Sequence, residues 1–287
     1  MLSYQGGKST IGAWISEFIP NDISVYSEPF SGMYWVFFNM NLQKYPNLKE
    51  VIYNDVNPLN SNLMACAKQY TKFETFLDKQ DCQTKGKFAS EEQKKMFYDY
   101  QKDIYTNQPV LNVVNPDFEA AVKYAYVITQ VFSGTDPENS KFIDLKGKYN
   151  SKFDSFRRKI SGTNRGTKMK PYFDAISKIE NLDFEVLMKK YDSDSTFYYL
   201  DPPYYNCEHY YSNHDFGLKD HERLANCMKS LKARWALSYY YFPELEIWFP
   251  KDKYRWEQKD FHKASGAVKG KSQSKGTELL IMNYEKD

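Results

Sequence analysis

Two short apolar strands, each closed by an acidic residue, frame a glycine turn near the start of the chain, and they constrain its fold more than any other feature. Val25-Tyr26-Ser27-Glu28 reads as a strand that runs into the turn Pro29-Phe30-Ser31-Gly32. A helical stretch from Tyr34 to Met40 comes next, and a second strand, Glu50 to Asp55, stops at Asn57-Pro58. Strand, glycine turn, helix and a second strand with its acid 27 residues after the first is βαβ grammar. Just upstream, Ile11, Trp14, Ile15 and Phe18 share one face of a short helix that Pro20 and Asn21 stop.

The α/β pattern returns near residue 172. Phe197-Tyr198-Tyr199-Leu200 reads as a buried strand, cut off by Asp201-Pro202-Pro203-Tyr204. Leu224, Met228 and Leu231 fall in helical register, Trp235 to Tyr239 is another strand, and Leu279 to Met282 a last one. The middle differs. Ser90-Glu91-Glu92-Gln93 is a capping box opening a helix through Ile104, and Asn115-Pro116 starts another that carries Val122, Ala125, Tyr126 and Thr129 towards Phe132. Residues 141–170 then hold ten basic residues against Asp144 and Asp154, a local charge of +8. The pattern predicts one α/β domain, split by a helical and basic insertion over residues 62–168.

A chain of 287 residues can bury such a core without disulfides or metal. Its 39 Lys and Arg against 37 Asp and Glu give a net charge of +2, so a nucleic-acid partner has to be held by local patches. The longest apolar run, Met33 to Phe38, is six residues, against the roughly 20 that a membrane helix needs. Cys66, Cys82, Cys207 and Cys227 form no C-x-x-C pair or zinc spacing, and the four histidines include no H-E-x-x-H, so no metal site is indicated. The first eight residues carry no apolar export signal, which points to reduced thiols and a cytoplasmic location. The 50 aromatic residues fit either base stacking or an A/T-rich coding bias, and the second accounts for most of them.

Asp201-Pro202-Pro203-Tyr204 is the most informative tetrapeptide. Two prolines after a strand leave carbonyls that no neighbouring strand can pair, and they hold a carboxylate and a ring at the ligand-binding edge of the sheet. The lone pair of an exocyclic base amine is delocalised into the ring. A carboxylate and a carbonyl accepting its two N–H bonds favour a pyramidal, nucleophilic nitrogen, and an adjacent ring can stack on the base. The plain alternative is a strand-terminating turn. Gly6-Gly7-Lys8-Ser9 is not a P-loop, since Leu2 stands where the first glycine would be, but it can hold an anion at a helix start. Glu28, Phe30, Gly32 and Asp55 suit a nucleoside pocket, with Asp55 placed for ribose hydroxyls; its alternative is a helix cap or Asx-turn before Pro58.

Taken together, Tyr4-Gln5-Gly6-Gly7-Lys8, Glu28-Pro29-Phe30-Ser31-Gly32, Asn54-Asp55 and Asp201-Pro202-Pro203-Tyr204, in that order, resemble the Dam-type DNA adenine N6-methyltransferases. Trp256 to Gly276 together with Thr277-Glu278-Leu279-Leu280 is similar to that family's closing basic hairpin and final strand. The resemblance implies a Rossmann-like class I methyltransferase sheet. Residues 1–61 and 169–287 would form the catalytic domain and residues 62–168 an inserted, mainly helical target-recognition domain. It implies S-adenosylmethionine as methyl donor and N6 of a flipped adenine in double-stranded DNA as acceptor. Tyr4, Gly7, Lys8, Glu28, Phe30, Gly32, Asp55, Asp183 and Asp201 match cofactor-binding positions, with Lys8 near the cofactor's carboxylate and Asp183 near its adenine. Asp183 reads equally as a helix N-cap. Asp201, Pro202, Pro203 and Tyr204 match the catalytic motif, Tyr204 as the ring that stacks on the flipped base.

One position departs from the family. Its cofactor loop has a second glycine two residues after the first, where this chain has Tyr34, so a bulky ring is expected to narrow the approach to the cofactor. The middle segment departs more widely and implies no GATC target. Lys148, Lys152, Arg157, Arg158 and Arg165, with Lys269 and Lys271 in the tail, are candidates for DNA contact; a solvated surface run is their alternative. No membrane and no metal is implied, and there is room for a restriction endonuclease counterpart in a bacterial or phage-infected cell. Two other readings use the same residues: a cytosine-N4 or RNA methyltransferase, and a catalytically inactive DNA-binding homologue.

Overall fold

A computed structural model describes residues 8–79, 90–131, 137–143, 156, 166–205, 216–262 and 275–285. In chain order its elements are α1 (Gly12–Ser16), β1 (Val25–Glu28), β2 (Glu50–Asn54), α2 (Pro58–Lys68), α3 (Tyr70–Asp78), α4 (Ser90–Thr106) and α5 (Phe118–Gln130). They continue with α6 (Gly166–Ala175), β3 (Lys178–Glu180), α7 (Phe184–Lys190), β4 (Thr196–Leu200) and α8 (Leu218–Ser230). The chain closes with β5 (Arg234–Tyr239), α9 (Glu244–Trp248), β6 (Arg255–His262) and β7 (Lys275–Met282). The described residues divide into two compact units, one spanning Asn57–Asn181 and the other Lys8–Val56 with Leu182 onward.

The second unit is α/β. Its strands run in the order β2-β1-β4-β5-β7-β6. β1 pairs in parallel with β2 on one side and β4 on the other, β4 pairs in parallel with β5, and β7 lies antiparallel between β5 and β6. The chain leaves β1 to one side and returns to the other, so β1 and β4 flank a topological switch point where open α/β sheets bind ligands. All five residues of β4 are buried, as a parallel strand covered on both faces requires. The polar tips of its tyrosines are satisfied: the Tyr198 hydroxyl donates to the Met188 carbonyl at 2.9 Å, and the Tyr199 hydroxyl meets Ser238 Oγ at 2.8 Å.

Between β1 and β2 the structure departs from the sequence expectation. The helix expected from Tyr34 to Met40 is only a 3₁₀ turn, Phe37–Asn39. Gly32 and Tyr34 both have left-handed backbones, with φ of 49° and 58°, which stops an α-helix from starting at Tyr34. The Glu28 carboxylate accepts the Phe37 amide at 3.0 Å and so satisfies the first N–H of that 3₁₀ turn. Tyr34 thus adopts the conformation for which glycine is usual, at a cost of roughly 1–2 kcal/mol. Its ring is fully buried against Phe37, Tyr53 and Tyr26, and its hydroxyl donates to the Ile52 carbonyl at 3.1 Å. The ring therefore turns into the core.

The first unit is mainly helical. Asn57 caps α2 by accepting the Leu59 amide at 2.9 Å, with Pro58 at the first helical position. Asp117 caps α5 through the Ala120 amide, so that helix starts at Phe118, three residues after the Asn115 start that the sequence suggests. The Asn62 side chain grips the Asp117 backbone by both its N–H and its carbonyl, and the Tyr124 hydroxyl donates to Asn60 Oδ1 at 2.8 Å, so α2 and α5 are locked by polar as well as apolar contacts. Lys68 directs its ammonium at the Phe173 and Ile176 carbonyls, which end α6. No described helix is long and apolar enough to cross a membrane.

Candidate active site

The ends of β1, β2 and β4 converge at the switch point, and short-range hydrogen bonds fix the loops they feed. Gly32 donates its amide to Asp55 Oδ2 at 2.8 Å, and the Tyr53 hydroxyl donates to the Gly32 carbonyl at 2.8 Å. Asp55 is thus tied to the glycine turn. The cap of α2, its alternative role, is filled by Asn57 instead. Ser31 Oγ donates to the Glu28 carbonyl and accepts the Asn54 amide, which closes the turn from beneath. Asn54 is wholly buried. Its side-chain amide donates to the Pro29 and Leu182 carbonyls and accepts the Leu182 amide, clamping the glycine turn to the loop that enters α7.

That clamp sets the neighbouring residue, Asp183. It caps α7 through the Glu185 amide at 2.9 Å and forms a two-toothed pair with Arg223 at 2.8 and 2.9 Å. Despite the penalty of burial, those Arg223 bonds hold the Asp183 carboxyl below its usual range. The N-cap alternative is therefore realised in this structure. Beside it the Phe30, Phe184 and Phe216 rings meet at centroid distances of 5.4 to 5.9 Å, and Arg223 lies 4.1 Å over the centre of Phe184.

Glu28, at the end of β1, is 2% exposed and accepts the Tyr26 hydroxyl at 2.6 Å. Burial pushes its carboxyl up to about 8, even though the Tyr26 hydroxyl and the Phe37 amide favour the charged form. After β4, Asp201 extends towards Lys8, which opens the turn into α1. Lys8 Nζ lies 2.6 Å from Asp201 Oδ1 and 3.6 Å from Glu278 Oε1. The Tyr204 hydroxyl donates to the same Glu278 oxygen, and the Lys8 ammonium sits 4.9 Å from the centre of the Tyr204 ring. One ammonium is shared by two carboxylates, Glu278 buried and Asp201 half-buried. Burial raises both acids above the ordinary carboxylate range, with Lys8 pulling the other way. Burial also penalises the Lys8 charge, but Asp201 and Glu278 outweigh it and keep the ammonium protonated.

The Tyr204 ring packs 5.4 Å from Tyr239 and edge-on, at 4.6 Å, to Tyr240. Pro202 is buried, and Pro203 and Tyr204 are half-buried. Glu278 is the participant that sequence reasoning missed. It reaches the site because β7 runs antiparallel to β5, with Leu279 opposite Tyr239, so the first residues of β7 lie at the edge where the parallel strands end. The apolar run Leu279 to Met282 marks a strand but gives no sign of its direction. Among the described residues there is no cluster of His, Cys, Asp and Glu fit to hold a metal.

The structure thus joins Lys8, Asp201 and Tyr204 through Glu278, ties Gly32 to Asp55, sets Phe30 against Phe184 beside Asp183, and bonds Glu28 to Tyr26 and Phe37. Tyr4, Gly7, Lys148, Lys152, Arg157, Arg158, Arg165, Lys269 and Lys271 lie outside the described residues.

A family model described as D12 class N6 adenine-specific DNA methyltransferase matches residues 4–261. Among curated relatives, a type II methyltransferase, M1.LlaDCHI of Lactococcus lactis subsp. cremoris, is 25% identical over 98% of this chain and 94% of its own. A DNA adenine methylase of Haemophilus influenzae is 25% identical over 83% of this chain and 76% of its own. The solved rRNA methyltransferase aviRa from Streptomyces viridochromogenes covers 92% of this chain and 78% of its own at 10% identity and a TM-score of 0.32, a likeness too low to bear on fold or function.

Proposed function

The chain belongs to the D12 class of N6 adenine-specific DNA methyltransferases, and on that premise we propose that the Asp201 cluster is its methyl-transfer site and that S-adenosylmethionine is the donor. The observation that carries the reading is the Lys8–Asp201 pair at the end of β4, one of the two strands that flank the switch point.

The donor set fits S-adenosylmethionine. A nucleoside needs an acid for its ribose diol and apolar faces for its base; Asp55 and the Phe30–Phe184 pair are of those kinds. Lys8 suits the carboxylate of the donor's amino acid portion. When bound, the group supplies a methyl carried on a sulfonium, an electrophile that needs no metal or covalent enzyme intermediate.

The chain's own work is positioning. Asp201 accepts one N–H of the incoming amine and a carbonyl of the Pro202-Pro203 segment accepts the other, which localises the nitrogen lone pair. Tyr204 stacks on the base, whose extraction from the duplex costs a few kcal/mol. Asp201 carries the negative charge that offsets the positive charge growing on the nitrogen. Double-stranded DNA is held by basic residues of the middle segment, 62–168, acting as the target-recognition part, and by the Lys-rich tail, with phosphate contacts setting affinity and arginines reading bases. A bacterial cytoplasm suits this substrate.

The test is to incubate the purified protein with S-adenosylmethionine and unmethylated bacterial DNA and to analyse the nucleosides by mass spectrometry. N6-methyladenine is expected with the wild type and none with Asp201→Ala at an unchanged circular dichroism spectrum. N4-methylcytosine instead, or a fully active Asp201→Ala, overturns the reading. Sequencing the methylated DNA identifies the target site.

A further inference from the structure

Glu278 is 1% exposed, and its carboxylate serves two partners that lie far from it in sequence. The Tyr204 hydroxyl donates to Oε1, and Lys8 Nζ stands 3.6 Å from that same oxygen while sitting 2.6 Å from Asp201. Burying a second carboxylate beside an ammonium that already has one carries a desolvation cost that a single ion pair would not. A purely structural strand position would be filled better by an apolar residue like the next four in β7. The arrangement becomes useful if the ammonium has to change partner. With the site as it stands, Lys8 engages one of the two Asp201 oxygens, Oδ1.

We infer that Glu278 is a positioning residue of the methyl-transfer site: it anchors the Tyr204 ring through its hydroxyl and offers Lys8 a second seat, so that Asp201 is released to the incoming amine. The inference rests on the proposed roles of Asp201 and Tyr204 in methyl transfer. The shift asked of the ammonium is small, because both carboxylates already flank it. Pro202 and Pro203 fix the backbone before Tyr204 but not its ring, which packs on Tyr239 and Tyr240; its hydroxyl, also within reach of Asp201, takes Glu278 as its short-bonded partner.

The test measures single-turnover methyl transfer to unmethylated bacterial DNA, scored as N6-methyladenine, with enzyme and S-adenosylmethionine in excess. Donor affinity is measured by calorimetry and folding by thermal melts. Glu278→Gln keeps an acceptor for Tyr204 but offers Lys8 no charge, and is expected to slow transfer by about threefold to tenfold; Glu278→Leu removes both functions and should slow it by about a further tenfold. Because Lys8 is also the proposed partner of the donor's carboxylate, rates are compared at saturating donor, with the affinity of each variant known from the calorimetry. Combined with Tyr204→Phe, Glu278→Leu should be slowed by less than the product of the two single effects, because the Tyr204–Glu278 contact is common to both. A wild-type rate in Glu278→Gln, no further loss in Glu278→Leu, or multiplying effects in the double variant overturns the inference. Should Glu278→Leu fail to fold, Glu278→Gln decides alone. A wild type that forms no N6-methyladenine overturns the site assignment itself, a different result from an active wild type with indifferent Glu278 variants.

Discussion

The Lys8 ammonium and the Asp201 carboxylate, 193 residues apart in sequence, lie 2.6 Å from each other at the end of β4. In this pairing Lys8 counters the burial that raises the Asp201 carboxyl and fixes its position, but the oxygen that faces Lys8 is engaged. Lys8→Met is therefore expected to leave Asp201 and Glu278 without a counter-ion and to drive protons onto them. A neutral Asp201 accepts poorly from an amine, so the transfer rate should fall by about 10²–10³, comparable to losing one preorganised electrostatic contact. Because the acids titrate instead of staying charged, the protein should remain folded. Single-turnover rates beside a melting curve check both halves, and a Lys8→Met variant within about threefold of wild type would show that Asp201 needs no partner.

Glu28 makes a pH-dependent contribution of opposite sense to that of an ordinary surface carboxylate. Burial raises it from 4.5 to about 8 in the folded protein. Between those values the folded state binds a proton that the unfolded chain has released, so stability falls as pH rises through this window. The contribution is fully present below about 4.5 and lost above about 8, an effect on the order of a few kcal/mol. Glu28→Gln keeps an acceptor for Tyr26 and Phe37 without the titration. Denaturant unfolding of the two proteins at about pH 5 and about pH 8 should show a smaller pH effect in the variant; equal slopes would mean that Glu28 stays ionised.

The strand ends were legible because the residues that close them are chemically loud: Glu28, Asp55 and Asp201-Pro202-Pro203 each interrupt an apolar run. What those residues bond to was less legible. Asp183 reads both as a cap and as a ligand contact, and only the approach of Arg223 from α8, 40 residues away, shows how both its oxygens are used. Tyr34 belongs to an apolar stretch that looks helical, and nothing local announces a left-handed backbone. That conformation comes from the buried slot between Tyr26, Phe37 and Tyr53 that takes its ring. Glu278 was hidden for the same reason: strand direction in a sheet is a tertiary property.

Tyr34 also sets a stability test. Tyr34→Gly would relieve about 1–2 kcal/mol of left-handed strain but empty a fully buried aromatic site, worth about 3–5 kcal/mol in comparable truncations. The cavity term wins, so the variant should be destabilised by roughly 1–4 kcal/mol, even though glycine is the usual residue for such a backbone. Tyr34→Phe should cost only about 1 kcal/mol, from the lost bond to the Ile52 carbonyl. Thermal melts order the three proteins; a stabilised Tyr34→Gly would mean that strain outweighs packing.

Asp183 can be separated into its two roles by one conservative change. Asn is as good an N-cap as Asp, so Asp183→Asn keeps the start of α7 and loses only the charge-assisted half of the Arg223 pair, which is over a third exposed and worth little to stability. The melting temperature should hardly move. An amide at this position still accepts from a base amine but also presents donors to it, so S-adenosylmethionine should bind about tenfold more weakly if Asp183 faces the donor's adenine, one charge-assisted hydrogen bond being worth about 1.5–3 kcal/mol. Calorimetric titration reads this directly. Unchanged donor affinity would assign Asp183 to capping α7 alone.

The basic run over residues 141–170 makes a prediction that depends on salt. Each side chain that neutralises a DNA phosphate contributes about 0.9 to the slope of log affinity against log salt. Lys148→Ala and Lys152→Ala are expected to weaken binding to all DNA sequences alike and to flatten that slope by close to one apiece. An arginine that reads a base edge behaves otherwise: its removal relaxes the preference at one position of the methylated site at a cost of about 1–3 kcal/mol. Arg157→Ala, Arg158→Ala and Arg165→Ala should therefore separate into slope-changing and site-changing variants when binding is measured at several salt concentrations and the methylated sites are sequenced. If none of the five alters either quantity, the +8 stretch is a solvated surface, and DNA is held by other residues.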